Sequence, residues 1–412
     1  MLTVEQAVER IVGRVRPMPT ESVRLADAYG RVLARDLVST AWIPPWDNSA
    51  MDGYAVRAAD TREDEVVLRL LEVVGAGSVA RAQVEPGTAI GVMTGAPLPE
   101  GADAVVMVED TDGAREGEVR VRIRAFPGKH VRRRGEDVSE GQRVLSAGMS
   151  LGPAAIGLAS GLGLTRLEVR RRPVVAILST GDEVIAPGTP LGPGQIWSSN
   201  NASLAGLVLE AGAVPLDLGI APDRLAEVVE RLRDAVDNAD VVLTTGGVSV
   251  GAFDVVKDAF TSLGAEMDFW RVRMRPGKPL AMGWSGEVPL FGLPGNPVSC
   301  MVNFLQFVRP YLRHAVGDPH PYLPVIDAVA AEPLGDAPGR AQLVRVQLER
   351  GADGIRVRAT GSQSSGVLTS MVRADGLLLI GADALPPRAG DRVRVQLLDG
   401  SLRGGATPDY GW

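Results

Sequence analysis

The sequence contains few of the residues on which thiol and imidazole chemistry depend. One cysteine in 412 residues, Cys300, excludes an intrachain disulfide and a cysteine-rich metal site. Three histidines, His130, His314 and His320, are a poor supply for a zinc site or a Ser-His-Asp triad. Cys300 stands at a predicted helix start, but no histidine is near it in sequence, so we interpret it as a core residue.

Excess positive charge and long hydrophobic runs are also missing. The net charge of −7 argues against a nucleic-acid-binding protein that relies on counterion release. No apolar run reaches the roughly 20 residues that a membrane-spanning helix needs. The amino terminus, MLTVEQAVERIV, is typical of an amphipathic helix and lacks the layout of a signal peptide. We therefore expect a cytoplasmic protein with neither nucleic acid nor membrane as a partner.

The length exceeds what one hydrophobic core supports and predicts two to four domains. Hydrophobic residues make up 45% and charged residues 23%, an ordinary balance for a globular protein. Thr3 is placed to cap a first helix that runs to about Val15, and a second short helix is expected at 25–33. Short β-branched runs between Gly and Pro predict a small β-rich unit over 65–124, and residues 153–162 predict a short helix.

The segment 44–56, PPWDNSAMDGYAV, is polar where a core strand would be apolar. Its two leading prolines forbid a helix, and Asp, Asn and Ser favour turns. We interpret the segment as a shaped loop before a short strand. The pattern alone leaves open whether Asp47 and Asp52 only stabilise that loop or serve a function.

From residue 173 onward, apolar runs alternate with amphipathic helices. The unbroken apolar run 174–178 is typical of a strand buried on both faces. Further strands are expected at 214–219, 240–244, 266–273, 280–283 and 288–292, and helices at 201–211, 223–236, 254–263 and 298–313. This alternation predicts a doubly wound α/β domain with a parallel sheet. From about residue 321, short alternating runs predict a small all-β domain, either a barrel or a sandwich.

Three loops follow predicted strands of the α/β domain: STGDE at 179–183, TTGGVSVG at 244–251 and GLPGNPVS at 292–299. Because ligands bind at the carboxyl ends of such strands, the three loops should meet at one edge. Glycines let backbone N–H groups approach an anion, and a following helix adds a favourable dipole. A phosphorylated ligand is therefore expected, although each loop alone is often only a turn. The candidate substrate-binding residues are Ser179, Thr180, Gly181, Thr245, Gly246, Gly247, Ser249, Lys257, Pro294, Gly295, Asn296, Pro297 and Ser299.

Three acids accompany these loops: Asp182, Glu183 and Asp254. They would repel a phosphate unless a cation intervenes. Mg²⁺ prefers oxygen ligands, usually one or two carboxylates with substrate phosphates and waters. We therefore predict a Mg²⁺–phosphate site with these three residues as metal ligands. The alternative is that Asp182 and Asp254 only cap helices.

Basic side chains near the same edge are Arg275 and Lys278. The Pro-Gly turn at 276–277 directs Lys278 outward, and a compact ammonium group suits a tetrahedral oxyanion. The alternative is a solvated loop charge. The run Arg-Arg-Arg at 132–134 is more typical of a solvated face, and Asp137 after it is either its ion-pair partner or a ligand.

Six motifs together resemble one protein family. DNSAMDGYA, MTGAP with PEGADAVVMVE, RRRGEDV, STGDE, TTGGVSVGAFD and GLPGNPVS occur in this order. From about residue 3 to about residue 400, the chain resembles the MoeA family of molybdopterin molybdenumtransferases, and is similar to the carboxy-terminal half of gephyrin and to plant homologues. The resemblance implies that molybdate is inserted into the dithiolene of adenylyl-molybdopterin, with AMP released in a Mg²⁺-dependent step.

The resemblance also implies roles for residues that match the family motifs. The catalytic residues it implies are Asp52, Thr94, Asp137, Glu183, Asp223 and Asp254. The molybdate contacts it implies are Lys278, Arg345 and Ser365, together with Arg275. Arg275 stands where relatives often have lysine, a change that keeps the charge but alters the donor geometry. Pro294 and Pro297 match prolines that shape the third loop.

Four domains in an elongated homodimer are implied as well. Residues 1–45 with 140–172 would form an elongated N-terminal and dimerisation domain, and 46–139 a small β-rich domain. Residues 173–316 would form the molybdopterin-binding α/β domain, and 321–403 a C-terminal β-barrel. The segment 44–56 of one subunit would then face the α/β cleft of the other, so that the active site lies between subunits. A contact with molybdopterin adenylyltransferase is a further expectation.

Two other functions are compatible with parts of the sequence. A MogA-type molybdopterin adenylyltransferase shares the α/β domain and the TTGG turn, but it usually continues with an Arg-Asp-containing segment and lacks the flanking domains. A non-enzymatic scaffold, like the corresponding domain of gephyrin, would need an apolar groove at the dimer.

Overall fold

The computed structural model describes residues 1–63, 65–246, 255–351 and 354–398, which fall into two units. One unit contains Met1–Glu21, Gly30–Ala34 and the chain from Val169 onward, and the other contains Ser22–Tyr29 and Arg35–Glu168. The α/β and barrel regions therefore share a unit, and the β-rich region belongs to the other.

The strands follow in chain order. They are β1 (Thr20–Arg24), β2 (Leu37–Val38), β3 (Asn48–Ser49), β4 (Gly53–Val56), β5 (Val66–Val74), β6 (Thr88–Val92), β7 (Ala104–Met107), β8 (Thr111–Arg115), β9 (Glu118–Val121), β10 (Val131–Arg132), β11 (Arg143–Leu145), β12 (Arg166–Arg170), β13 (Val174–Thr180), β14 (Val184–Ile185), β15 (Ile196–Trp197), β16 (Val214–Ala221), β17 (Val241–Thr245), β18 (Glu266–Arg271), β19 (Met274–Arg275), β20 (Pro279–Ser285), β21 (Val288–Leu293), β22 (Val325–Ala330), β23 (Ala341–Gly351), β24 (Gly354–Ala359), β25 (Gly376–Ile380) and β26 (Arg392–Leu397).

The α-helices are α1 (Val4–Val12), α2 (Pro153–Gly161), α3 (Asn200–Glu210), α4 (Leu225–Asn238), α5 (Val255–Ser262), α6 (Pro297–Asn303), α7 (Arg309–Ala315) and α8 (Thr369–Val372). Short 3-10 turns occupy Leu25–Asp27, Ala58–Thr61 and Val108–Asp110, and a π-helical turn, Phe304–Val308, joins α6 to α7. No helix in the described ranges combines the length and hydrophobicity that a bilayer crossing requires.

The β-rich unit is built on a six-stranded sheet in the order β7-β4-β6-β5-β9-β8. Side chains of β4 alternate between two apolar clusters, because successive strand residues face opposite sides. Tyr54 and Val56 pack with Leu68, and Ala55 packs with Ile90. The glycine of the DGY motif is required here, since a Cβ at Gly53 would lie 2.0 Å from the backbone oxygen of β7.

The α/β sheet has the order β16-β13-β17-β21-β20-β18. The first four strands are parallel, whereas β20 and β18 are antiparallel to their neighbours. Val175 and Ile177 of β13 face one core with α1, α3, α6 and α7, and Ala176 and Leu178 face a second core with α4 and α5. Both faces of the sheet are therefore covered, which accounts for the continuous apolar run.

The C-terminal strands form a closed five-stranded barrel. The order β23-β24-β22-β26-β25 closes through pairing of β25 with β23. Short β19, next to the Arg275 turn, pairs in parallel with β23. This pairing fixes the basic turn of the α/β region against the barrel within one unit.

Three elements differ from the sequence-based expectation. The helix expected at 25–33 is only the 3-10 turn Leu25–Asp27, because Gly30 follows in a left-handed conformation (φ 69°). The sheet is mixed rather than wholly parallel, because Gly286 (φ 58°) turns β20 directly into β21. The helix expected at 298–313 contains the π-helical turn, since Pro310 lacks the N–H that a regular α-helix would use there.

Candidate active site

Three parallel strands end side by side in the α/β sheet. Ser179 of β13 is in register with Thr245 of β17, and Thr245 is in register with Leu293 of β21. Adjacent strands lie about 4.8 Å apart, so the loops that follow them meet at one edge. The structure thus brings together the STGDE loop, the start of the TTGG turn and the GLPGNPVS loop.

A cleft of about 610 Å³ opens at this edge. Its lining combines hydroxyls, amides, glycines and prolines with one acid, and it includes the amino-terminal ends of α3 and α6. The described residues that line it are Ser179, Thr180, Glu183, Val184, Ile196, Trp197, Ser198, Ser199, Asn200, Thr245, Gly246, Pro279, Pro294, Gly295, Asn296, Pro297 and Gly366. Its size is that of a small-molecule site.

Asn200, the first residue of α3, holds two of the loops together. Its Nδ2 donates to Thr245 Oγ1 at 2.7 Å and to the Gly295 carbonyl at 2.8 Å. Thr245 Oγ1 in turn donates to the Pro294 carbonyl at 3.1 Å. Asn200 Oδ1 and Thr180 Oγ1 are buried without a hydrogen-bond partner among the described residues. Both oxygens belong to cleft-lining residues and are available to a ligand.

The hydrogen bonds from Asn200 to Thr245 and Gly295 form a brace between two loops. Next to this brace, Asn201 binds Ser179. Ser179 Oγ donates to Asn201 Oδ1, while Asn201 Nδ2 donates to Asp217 Oδ1 at 2.6 Å and to the Gly219 carbonyl at 3.1 Å. The sequence predicts a helix at 201–211 but assigns no role to Asn200 or Asn201. The run Trp-Ser-Ser-Asn-Asn at 197–201 could have indicated a polar site, since amides and hydroxyls at a buried helix start need partners.

Positive φ angles and close neighbouring atoms, of the backbone at Gly246 and of a side chain at Gly181, explain two glycines of the loops. Gly246 has φ 97°, and a Cβ there would lie 2.2 Å from the Thr180 carbonyl oxygen. Gly181 has φ 141°, and a Cβ there would lie 2.7 Å from Glu183 Oε2. Larger residues would separate the first two loops or displace the acid.

Three carboxylates gather beside the cleft: Asp182, Glu183 and Asp223. Asp182 Oδ1 accepts the Asp223 backbone N–H at 3.1 Å. Burial raises the pKa of Asp223, and the negative charges of Asp182 and Glu183 raise it further. Asp223 Oδ1 is buried without a hydrogen-bond partner in the described part of the chain. The arrangement favours an added positive charge, although the described residues contain no ready-made cluster of three metal ligands.

Arg345 lies in the barrel wall and is 1% exposed. Its Nε donates to Ser370 Oγ at 3.1 Å, and its Nη2 donates to the Ser364 carbonyl at 3.2 Å. Burial, and secondly the charge of Arg275, lower the pKa of Arg345 to about 10. No carboxylate forms a salt bridge with it among the described residues. Binding of an anion beside this buried cation would therefore be favourable.

The loop after β24 connects this arginine to the cleft. The Ser365 carbonyl accepts the backbone N–H of Val298 in the first turn of α6, at 3.1 Å, and the next residue, Gly366, lines the cleft. Ser365 and Arg345 thus adjoin the GLPGNPVS loop through their backbone neighbours. Ser299 of the same turn is 5% exposed and lies in the protein interior.

Arg275 and Lys278 flank a turn that is fixed against α6. A Cβ at Gly277 (φ 97°) would lie 2.4 Å from Asn303 Oδ1, and Asn303 Nδ2 donates to the Pro279 carbonyl at 3.0 Å. Arg275 forms a salt bridge with Asp336 and lines a small cavity together with Arg345. Lys278 is half-buried between this turn and the cleft-lining Pro279.

The other implied catalytic residues lie in the β-rich unit. Asp52 Oδ1 accepts the backbone N–H of Thr94 at 2.6 Å and its hydroxyl at 2.7 Å, which lowers the pKa of Asp52. The structure therefore brings this pair together where the exposed turn before β4 meets the exposed turn after β6. Asp137 is exposed, and its backbone N–H donates to the Ile43 carbonyl at 3.0 Å.

The structure assigns Asp47 a structural contact that the sequence left open. Asp47 forms a salt bridge with Arg133 at 2.7 Å, and its other oxygen accepts the backbone N–H of Arg134 at 2.8 Å. These contacts lower its pKa. Asp47, rather than Asp137, is thus the acid that pairs with the arginine run.

Three of the predicted site residues, Gly247, Ser249 and Asp254, lie outside the described residues. Lys257 is exposed in the first turn of α5. Cys300 is 1% exposed, and burial raises the pKa of its thiol to about 12, so the interpretation as a core residue is confirmed.

Comparison with known families covers most of the chain. Residues 2–163 match the family model described as MoeA N-terminal region (domain I and II). Residues 176–314 match a probable molybdopterin binding domain, and 327–398 match the MoeA C-terminal region (domain IV). The motifs DNSAMDGYA, MTGAP with PEGADAVVMVE, and RRRGEDV lie within the first match, and STGDE, TTGGVSVGAFD and GLPGNPVS lie within the second.

Similar proteins match over nearly their full length. The chain is 43% identical over 401 residues to molybdopterin molybdenumtransferase 2 of Mycobacterium tuberculosis, covering 95% of this chain and 97% of that protein. It is 34% identical to the molybdopterin molybdenumtransferase of Haemophilus influenzae, covering 96% and 98%. A crystal structure of a MoeA protein from Pyrococcus horikoshii superposes with a TM-score of 0.83 at 31% identity, covering 97% of this chain and 100% of that one.

Proposed function

The chain belongs to the MoeA family and is a molybdopterin molybdenumtransferase of molybdenum-cofactor biosynthesis, and from this premise we propose that its cleft is where molybdate enters adenylyl-molybdopterin and AMP leaves. The observation that carries the proposal is the meeting of three strand-end loops, two helix starts and a barrel loop around one polar cleft. Such a site can hold a phosphate, a divalent cation and an oxyanion together.

The phosphate of the substrate is proposed to bind over the loops after β13, β17 and β21. Backbone N–H groups at the starts of α3 and α6 offer partial positive charge to it. The oxygens Thr180 Oγ1 and Asn200 Oδ1 differ in use: the hydroxyl can donate to a phosphate oxygen, whereas the amide oxygen can accept from an N–H or O–H of the substrate. The brace by Asn200 keeps these loops at a fixed separation before the substrate arrives.

Mg²⁺ is proposed to bind at Asp182 and Glu183, with Asp254 as the third ligand. Carboxylate oxygens suit Mg²⁺, which usually takes one or two of them and completes its shell with phosphate and water. The raised pKa of Asp223 beside both acids fits a place that a cation would neutralise. When bound, the ion would polarise the phosphate linkage of the substrate as a Lewis acid.

Molybdate is proposed to bind near Arg345 and Ser365, with Lys278 and Arg275 contributing charge. Arg345 supports this assignment because it is buried and lacks a carboxylate partner in the described chain. Arg275 already pairs with Asp336, so it would have to share its guanidinium between that acid and the oxyanion. The tetrahedral anion would then be held by three cationic groups, of which Arg275 is already partly neutralised by Asp336.

The active site is proposed to be completed by a second copy of the chain. Asp52 and Thr94 lie in the β-rich unit, and exposed apolar side chains neighbour them in sequence: Met51 is 37% and Met93 46% exposed. Val108, whose backbone N–H donates to the Asp52 carbonyl at 3.2 Å, is 45% exposed. Such a surface suits burial in a dimer. Cytoplasmic localisation and a contact with the adenylyltransferase stay predictions.

The metal site can be tested by replacing Glu183 with glutamine. Purified protein is supplied with adenylyl-molybdopterin, molybdate and varied Mg²⁺, and AMP release is measured together with cofactor formation. We expect Glu183→Gln to lose about 10²-fold in rate, the effect of one positioned charged group, and to need more Mg²⁺ for half-maximal rate. Glu230→Gln, at an exposed position of α4, is the matched control and should behave as wild type.

Two outcomes would contradict these assignments. An unchanged Mg²⁺ dependence in Glu183→Gln would remove this residue from the metal site. A monomer in light scattering at assay concentrations, with full activity, would contradict the shared site.

The same assay separates the alternatives, because an adenylyltransferase would form adenylyl-molybdopterin rather than consume it, and a scaffold would give no turnover. Molybdenumtransferases match the flanking regions too, covering 95% of this chain.

A further inference from the structure

Trp197 is the aromatic side chain among the described residues that line the cleft. It is 51% exposed, and the preceding Ile196 is 55% exposed. A tryptophan whose role was core packing would bury most of its large surface. This ring instead lies at the cleft, where Ile196 and Trp197 are the large hydrophobic side chains that are exposed among the described lining residues.

The ring is held firmly despite its exposure. Trp197 lies in β15, which pairs in parallel with β14 so that Ile185 and Trp197 are opposite each other. Backbone N–H groups of Ile196 and Ser198 donate to the carbonyls of Glu183 and Ile185 at 2.8 and 2.9 Å. The indole Nε1–H donates to the Thr189 carbonyl at 2.7 Å.

These contacts determine which part of the indole remains available to a ligand. Because Nε1–H is the one hydrogen-bond donor of the indole and is already engaged, the exposed remainder is its π surface. A rigid π surface recognises flat rings by stacking, with little loss of side-chain entropy on binding. It does not distinguish ring substituents by hydrogen bonds.

The ring adjoins the parts of the cleft that bind charge. Ser198, Ser199 and Asn200 follow Trp197 directly and lead into α3. On its other side, the backbone of β15 is bonded to Glu183. A ligand with its phosphate on the helix start and its metal at Glu183 would therefore pass beside the indole.

We propose that Trp197 is a positioning residue that stacks against a flat, fused nitrogen heterocycle of the substrate. The inference rests on the proposed function, in which adenylyl-molybdopterin carries two such rings, the adenine and the pterin. Stacking would orient the ring while the phosphate and the oxyanion are held by the loops and the arginine. Since the same stack exists before and during the reaction, it would strengthen substrate binding more than it accelerates the chemical step.

The test compares Trp197→Leu and Trp197→Phe with wild type. We expect Trp197→Leu to raise KM for adenylyl-molybdopterin on the order of tenfold, the effect of losing one ring stack, with kcat changed less than threefold. Trp197→Phe keeps a π surface and should recover most of the affinity. Tyr322→Leu is the matched control, because Tyr322 is also 51% exposed but does not line the cleft.

Binding of three probes identifies the stacked ring. AMP carries adenine and a phosphate, ribose 5-phosphate carries the phosphate alone, and molybdopterin carries the pterin without adenine. Adenine is the stacked ring if Trp197→Leu weakens AMP on the order of tenfold and leaves ribose 5-phosphate unchanged. The pterin is the stacked ring if molybdopterin alone is weakened. Quenching of tryptophan fluorescence by the same probe should be smaller in the variant.

Three results would overturn the proposal. These are unchanged affinities for AMP and molybdopterin in Trp197→Leu, equal losses in Trp197→Leu and Trp197→Phe, and equal weakening of ribose 5-phosphate. The second result would assign the effect to the lost bond with Thr189 rather than to stacking. A wild-type protein that binds AMP through Trp197 but does not form molybdenum cofactor would instead contradict the proposed function and leave the stack intact.

Discussion

Replacement of Arg345 by methionine separates the structural role of this buried cation from its proposed role in anion binding. Burial, and secondly the charge of Arg275, lower the pKa of Arg345 from its ordinary 12.5 to about 10, which corresponds to about 3 kcal/mol of unfavourable electrostatic free energy for the charged form in the folded state. Methionine removes that charge but also loses the hydrogen bonds to Ser370 Oγ (3.1 Å) and the Ser364 carbonyl (3.2 Å). At about 1–1.5 kcal/mol each, the two losses roughly offset the relief.

We therefore expect the unfolding free energy of ligand-free Arg345→Met to lie within about 1 kcal/mol of wild type. Molybdate should separate the two proteins. At 100 times its Kd, a ligand stabilises the folded state by about 2.7 kcal/mol, which raises Tm on the order of 5 °C for a unit of this size. Wild type should show this rise in scanning calorimetry, and Arg345→Met should not.

The matched control is Arg358→Met, which removes a half-exposed barrel arginine that pairs with Glu349 and Glu332. It should retain the full molybdate effect. The reasoning is refuted if Arg345→Met is stabilised by molybdate as much as wild type is, or if Arg358→Met loses the effect equally. A large loss of stability in ligand-free Arg345→Met would show instead that the hydrogen bonds outweigh the buried charge.

Three further outcomes follow from the geometry. Gly246→Ala should lower kcat/KM at least about tenfold, because its Cβ would lie 2.2 Å from the Thr180 carbonyl, whereas Gly264→Ala, also at positive φ but in open space, should only lower Tm. Thr94→Val should raise the pKa of Asp52 toward its ordinary value in a carboxyl NMR titration, and an unchanged pKa would contradict the pairing. The stability that Thr94 gives through this carboxylate should be present above the unfolded pKa of Asp52, near 4, and be lost as pH falls through the lowered folded pKa. Cys300 should resist alkylation at neutral pH in the native protein and react in denaturant, because burial raises its pKa to about 12; rapid native reaction would contradict its burial.

Local patterns predicted most strands and helices because their causes are local. Thr3 does cap α1, with Gln6 completing a capping box, and the apolar run of β13 is buried on both faces. The predictions were wrong where a single residue or a pairing between distant segments determines the local structure. Gly30 ends the turn after Asp27, and the direction of β20 depends on its hairpin with β21. Such effects are not visible in the periodicity of a segment.

The sequence predicted the loops of the candidate site. It did not predict the hydrogen bonds of Asn200 or the burial of Arg345. Strand ends in a parallel sheet necessarily share an edge, so the meeting of Ser179, Thr245 and Pro294 could be expected. The brace from Asn200 to Thr245 and Gly295 spans 45 and 95 residues along the chain. The burial of Arg345 requires closure of the barrel by β25 and β23. Neither contact can be predicted from a local sequence pattern, because each depends on the complete fold.

The most direct test of the central claim is a stoichiometric measurement on the wild-type protein. Adenylyl-molybdopterin is supplied with molybdate and Mg²⁺, and AMP and molybdenum cofactor are both quantified. We expect one AMP per cofactor formed, with cofactor formation abolished when molybdate is omitted and AMP release strongly reduced when Mg²⁺ is omitted. Two results together would contradict the claim that the cleft inserts molybdate. The first is AMP release at the full rate when molybdate is omitted, and the second is that no molybdenum cofactor forms when molybdate is present.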